Sequence, residues 1–199
     1  MTSELALKCH INMVSCRAKS FSTKYHTFLT KRFDRDKFGT RIHSASAMTL
    51  LGYTDGVNNT DGVSYLELAE WISNNCIYVS ENLKQMWQRI VFNIAVSNND
   101  DHLRNHGFLF VSNGWTLSPA FDINPDENAN GLKLNISEND NSLDYDLVLS
   151  VAPYFGLKNK EAKKLIEVTK SVVSSWREVA KKYSITRGEV DSMERAFRY

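Results

Sequence analysis

Cysteine, proline and glycine are all sparse in this chain, with three Cys, three Pro and nine Gly among 199 residues. Cys9, Cys16 and Cys76 are odd in number and match no zinc-ligand spacing, so the reading is reduced thiols in a cytoplasmic protein, not a disulfide framework. Long apolar runs are missing too. The best, Ile90 to Val96, is interrupted by Asn93 and falls far short of the roughly 20 apolar residues a membrane span needs. The N-terminus lacks the apolar core of a signal peptide. Charge of one sign is absent as well: a net +1 gives no global electrostatic case for direct nucleic-acid binding or for an anionic membrane. No Gly-rich loop stands in the first twenty residues.

What is present suits a folded domain. Hydrophobic content of 42% and charged content of 24% are ordinary for a globular chain long enough to bury a core. Glu4 to Cys9 reads as the end of a helix, followed by an irregular stretch through Ser22. From His26 the side chains alternate as in a strand, ending in the charged segment Lys31 to Arg35; by itself that charge reads as a solvated strand end. Ser44 to Leu51 reads as a short helix stopped by Gly52, and Tyr53 to Val63 as a loop. Ser64 caps a further helix. The clearest helix starts after Ser80: Leu83, Met86, Trp87, Ile90, Val91, Ile94 and Ala95 recur at helical spacing and predict a central core helix.

That helix runs straight into Ser97-Asn98-Asn99-Asp100. Beyond it, Gly107 to Ser112 predicts a strand, Asn113-Gly114 a two-residue turn, and Trp115 to Leu117 the returning strand, ended by Pro119. Leu132, Leu134 and Ile136 alternate as in a short strand. A long amphipathic helix is expected from Lys160 to Tyr183. A last helix opens with a capping box at Thr186 and Glu189, with Ile185 and Val190 placed as its staple. With no repeat and no linker, the whole is one α+β, mainly helical domain.

The chemistry concentrates between Val96 and Asp122. Asp100 and Asn105 stand five positions apart, and Asp122 lies seventeen beyond Asn105 across the hairpin. This is the order in which kinase-like enzymes set out a base and two magnesium ligands. Asp100 would orient the attacking hydroxyl and accept its proton. Asn105 and Asp122 would offer magnesium the hard oxygen donors it prefers. Asp and Asn are equally ordinary turn residues, and the cluster also fits capping. His102 and His106 stand at i, i+4, but the segment is not clearly helical and no third soft ligand lies nearby; a His that orients the loop by hydrogen bonding is the better reading.

Several segments, in order, resemble the C-terminal catalytic region of the HipA-type serine/threonine kinases, the toxins of bacterial toxin–antitoxin modules. They are Lys31 to Arg35 (KRFDR), Ser46 to Gly52 (SAMTLLG), Ser64 to Ala69 (SYLELA), Asn99 to Gly107 (NDDHLRNHG), Leu117 to Ile123 (LSPAFDI) and Trp176 to Ala180 (WREVA). The resemblance covers most of the chain from about Leu5 onward. It implies a protein-kinase-like C-lobe in which a short hairpin carries the metal-binding Asp, with ATP and Mg²⁺ as cofactors. It makes Asp100 the catalytic Asp, His102 the loop histidine, Asn105 and Asp122 the magnesium ligands, and Lys31, Arg32 and Phe33 the hinge whose backbone holds adenine. Residues 1–35 would be an N-terminal remnant and hinge strand, and 36–199 the helical lobe.

The family also has, before this region, an N-terminal subdomain, a phosphate-covering loop with a regulatory Ser, and a nucleotide-binding Lys. This sequence matches none of them; Lys8 and Lys19 have no strand context that would make either a substitute, and Glu4 is only a weak match to the helix Glu that pairs with that Lys. The expectation is therefore a kinase domain acting on a protein hydroxyl that is weak or inactive alone, as a fragment, half of a split kinase or a degenerate remnant. The alternative is a non-catalytic interaction module, or half of a split toxin, that binds a DNA-binding antitoxin or a partner chain. A small-molecule kinase of the aminoglycoside-phosphotransferase type shares an Asp-x-x-x-x-Asn loop, but KRFDR and SYLELA argue against it.

Overall fold

The computed structural model describes residues 1–21 and 25–199. A first helix, α1 (Thr2–Lys8), leads into an antiparallel hairpin of β1 (Cys16–Ser20) and β2 (His26–Thr30), in register from Cys16↔Thr30 to Ser20↔His26. The expected irregular stretch therefore contains a strand; its last residue, Ser22, lies outside the described residues. Ser44 to Leu51 divides likewise into β3 (Ser44–Ser46) and α2 (Ala47–Leu51). The division falls at Ser46, whose side chain accepts from Thr49 N and caps α2, while Gly52 closes it in the left-handed conformation that needs no Cβ.

Next come α3 (Tyr65–Asn75), opened by a Ser64–Glu67 capping box, and α4 (Val79–Ala95). Strand β4 (Gly107–Val111) pairs with β3 on one side and with β5 (Gly114–Leu117) on the other. The β4–β5 turn sits one residue earlier than expected. Ser112 (φ 47°) and Asn113 (φ 67°) supply the left-handed pair, and Gly114 already faces Val111 in the ladder. Packing explains the shift, because a Cβ on Gly114 would lie 2.4 Å from Ile77 Cγ2. Leu132, Leu134 and Ile136 are buried as their alternation suggests, but their segment forms an isolated bridge, Ser64↔Asn135, instead of a strand.

The C-terminal part comprises α5 (Tyr145–Ser150), α6 (Asn159–Ser174), α7 (Trp176–Lys182) and α8 (Arg187–Ser192), the last with the expected Thr186–Glu189 box. The single long helix expected from Lys160 to Tyr183 is thus two. Serine hydroxyls compete for backbone carbonyls at the break: Ser174 Oγ donates to Ser171 O (2.8 Å) and Ser175 Oγ to Val172 O (2.7 Å). The break turns Trp176 onto Phe197, with the rings 4.1 Å apart and 12° from parallel.

Helix α4 is the axis of the molecule, and it is buried on more than the one face its spacing suggests. Met86, Trp87, Ile90 and Ile94 join a large core with α3, β4, β5 and α5. Phe92 and Ala95 face a second cluster made with α1, α7 and Phe197. No helix among the described residues is long and apolar enough to cross a membrane.

Candidate active site

Between the two clusters α4 carries polar residues that its apolar pattern conceals. Asn82, Arg89 and Asn93, at i, i+7 and i+11, share one face. Asn82 Oδ1 accepts from Leu117 N (3.0 Å), and Arg89 Nη2 donates to Ser118 O (2.5 Å). Asn93 Nδ2 donates to Asp101 Oδ2 (2.8 Å). The helix thereby grips the returning strand, the segment before Asp122, and the loop itself.

Where α4 ends, Ser97 takes a left-handed φ of 51° and is fully buried. Arg198, from the far end of the chain, braces this point: its N donates to Ala95 O (2.8 Å) and its Nε to Ser97 Oγ (2.9 Å). Asn98 then bridges two elements, donating through Nδ2 to Asn93 Oδ1 (3.1 Å) and accepting at Oδ1 from Asn124 N (3.4 Å). The loop leaves this anchored base with Asp100 pointing out, its side chain 62% exposed, and Asp101 pointing in, 2% exposed.

Asn105 Nδ2 donates to Asp100 O (2.9 Å), which leaves its Oδ1 free to accept a cation. Asp122 also has a positive φ, 54°, and Asn124 Nδ2 donates to its Oδ1 (2.9 Å). Asn105 and Asp122 line one small cavity together with Arg89 and Asp101. The structure therefore brings Asn105 and Asp122 to one cavity, with the Asp100 backbone bonded to Asn105 and the Asp100 side chain in the neighbouring outer cleft. One amide oxygen and one carboxylate are a donor set of the hard, oxygen-only kind that fits magnesium.

The two histidines separate. His102 stands in an outer cleft of about 310 Å³ with Asp100, its Nε2 3.9 Å from Asp100 Oδ1, too long for a hydrogen bond. His106 is buried beneath the loop, 3.1 Å by Nε2 from Asp101 O; since a carbonyl only accepts, Nε2 carries the proton. Burial, with the nearby Arg89 charge, pushes the imidazole down to about 3. Burial also holds the Asp101 carboxyl well above its ordinary range. It lowers Arg89 to about 9, so its guanidinium stays charged at neutral pH although Nε and Nη1 have no hydrogen-bond partner among the described residues.

On its other side Asp122 faces the β1–β2 hairpin across a largely apolar cleft of about 460 Å³, lined in part by Val14, Cys16, Phe28 and Thr30. The expected hinge residues Lys31, Arg32 and Phe33 line an adjoining cleft, of about 310 Å³, that shares Val14, Thr30 and Phe121 with it. Phe33 stacks on Phe121 at 5.3 Å, which ties the hinge to the residue before Asp122. Gly107 permits that approach, since a Cβ there would lie 3.3 Å from Phe121 and 3.4 Å from Phe33. Asp34 takes bonds from Arg32 (2.7 and 2.5 Å) and Arg35 (2.6 Å), and the paired guanidinium of Arg32 holds its carboxyl down at about 2.

Lys19 does stand on a strand, contrary to expectation. Cys16 and Thr30, which line the hairpin cleft, are cross-strand partners, and Lys19 has the opposite parity, so it faces away from the cleft. Lys8 and Lys182 both pair with Glu4, at 3.5 and 2.8 Å, which engages that carboxylate at the surface.

A helical lobe, a loop carrying Asp100 and Asn105, and a short hairpin returning Asp122 to that loop define a kinase-like C-lobe. The chain belongs to the family of HipA-like C-terminal domains, whose model matches residues 1–176. A candidate kinase of Haemophilus influenzae is 30% identical over 106 residues, covering 50% of this chain and 31% of that protein. A chain from the Shewanella oneidensis MR-1 toxin–antitoxin complex of HipA, HipB and operator DNA superimposes with a TM-score of 0.77 at 20% identity. That superposition covers 98% of this chain and 51% of the other, and supports the fold alone. The chain thus spans about half the solved chain and about a third of the curated relative.

Proposed function

We propose that this chain is the catalytic lobe of a protein serine/threonine kinase that uses ATP and Mg²⁺. The observation that carries this reading is the meeting of Asn105 and Asp122 in one cavity, with Asn105 bonded to the backbone of Asp100. Magnesium–ATP, when bound, supplies the activated phosphoryl group and neutralises its charge. The residues of this chain do the positioning. Asn105 Oδ1 and Asp122 hold the cation. The exposed Asp100 carboxylate orients a protein hydroxyl and takes its proton, while Asp101, Asn93 and Asn98 fix the loop backbone from below. His102 contributes polarity at the edge of the cleft, and Lys31, Arg32 and Phe33 border the adenine end.

Binding is testable by calorimetry with ATP, with and without Mg²⁺. Asp122→Ala is expected to weaken Mg²⁺-dependent ATP binding at least about tenfold, with a stability loss of only about 1 kcal/mol from the left-handed backbone at this position. Failure of the unaltered chain to bind ATP–Mg²⁺ at millimolar concentration, with no effect of Asp122→Ala, overturns the reading.

A partner reading is supported by the hairpin. Phe21 (63%) and Phe28 (68%) are strongly exposed, and a two-stranded ribbon is marginally stable by itself. We propose that a further kinase-lobe polypeptide, preceding or separate, completes this ribbon and supplies the phosphate cradle, and that a DNA-binding antitoxin is a second partner. Co-expression with such a polypeptide is expected to raise both hairpin protection in hydrogen exchange and ATP affinity; unchanged protection contradicts it.

A further inference from the structure

The outer cleft beside Asp100 holds two cations, and they are differently placed. Arg104 is ion-paired with Asp55. Lys133 makes no ion pair or side-chain hydrogen bond among the described residues, and it is half-buried. Its backbone, by contrast, is held on both sides. Lys133 N donates to Asp101 Oδ1 (3.2 Å), and Lys133 O accepts from Asn59 N (2.9 Å). The flanking Leu132 and Leu134 are buried in the core, 2% and 0% exposed. A long cationic side chain is therefore mounted rigidly on the residue next to the candidate base, with its own charge left uncommitted. An anchored backbone spares part of the ordering cost that a long cationic side chain otherwise meets when an anion binds it.

Resting on the kinase reading above, we infer that Lys133 is an anion-contact residue of the outer cleft that meets the terminal phosphate of ATP. Phosphoryl transfer spreads negative charge over the γ oxygens. Asn105 and Asp122 would place a cation at the inner cavity, and Lys133 shares the outer cleft with Asp100, the group that would stand beside the transferred phosphate. An acidic side chain on the protein substrate has the same charge and is the other source of such an anion.

Comparing ATP with ADP separates the two. By calorimetry with Mg²⁺, Lys133→Ala is expected to lower ATP affinity about tenfold and to leave ADP affinity within about twofold, since only ATP carries the contacted phosphate. Lys133→Arg is expected to keep most of the ATP affinity. A thermal melt checks that the variants fold, the expected result because the hydrogen bonds of Lys133 run through its backbone. Equal losses for ATP and ADP, or no loss for either, overturn the inference; in the second case a selective drop in phosphorylation of an acidic peptide assigns Lys133 to the acceptor. Failure of the unaltered chain to bind either nucleotide overturns the kinase reading itself, and the inference with it.

Discussion

The two walls of the cleft at Asp122 are built in opposite ways. On the loop side, Ser97, Asn98, Asp101 and Ser118 are 0–2% exposed, each tied to α4, Asn124 or Arg198. On the hairpin side, β1 and β2 pair, among the described residues, only with each other and expose nearly every side chain on both faces. The floor is organised before any ligand arrives; the roof is tied to it mainly at its base, by backbone bonds of Asn12 and Val14 to Ala120 and by the Phe33–Phe121 stack. Chemistry that depends on geometry belongs to the floor, and chemistry that depends on closure belongs to the roof.

Mutation should show the difference first as stability. Trp87 is fully buried in the α4 core, with Nε1 donating to Val148 O (3.0 Å). Trp87→Ala is expected to cost about 3–5 kcal/mol in urea unfolding. A loss under about 1 kcal/mol would mean that α4 is not the axis of the fold.

Acid should act next, and on the floor. The fold favours neutral His106, so its contribution is complete above 6.5 and is lost as pH falls toward 3. Asp101 has the opposite sign, because its carboxyl is raised and the fold favours its protonated form. His106→Gln isolates the first effect: the urea midpoint of the unaltered chain should fall more steeply below pH 6.5 than that of the variant. Parallel profiles would remove His106 from the account.

The smallest effect is expected on the roof. Phe28→Ala should change stability by no more than about 0.5 kcal/mol. A loss comparable to that of Trp87→Ala would show that the hairpin is part of the cooperative core and would erase the contrast.

Much of this architecture is legible in residue order. Helical spacing from Leu83 to Ala95 finds α4, and the loop with its returning hairpin leads Asn105 and Asp122 to one cavity. The features that are not legible depend on contacts distant in sequence. Nothing local says that Gly114 must enter the strand; Ile77 decides it. Ser174 and Ser175 look compatible with a continuing helix until their hydroxyls bond back to its carbonyls. Asn82, Arg89 and Asn93 look like interruptions in an apolar stripe. Their shared face was the available signal, and it becomes meaningful only once β5, Ser118 and Asp101 lie against it.

The brace from Arg198 to Ser97 joins residues 101 positions apart. At roughly 5–20 residues per second of translation, the loop base leaves the ribosome about 5–20 s before the residue that braces it. During that interval α4 and the hairpin can already be packed while the left-handed turn at Ser97 still lacks its support. Nascent chains stalled before Phe197 should therefore show a formed core with a protease-sensitive loop, the order of assembly being written into the distance between the two ends of one hydrogen bond.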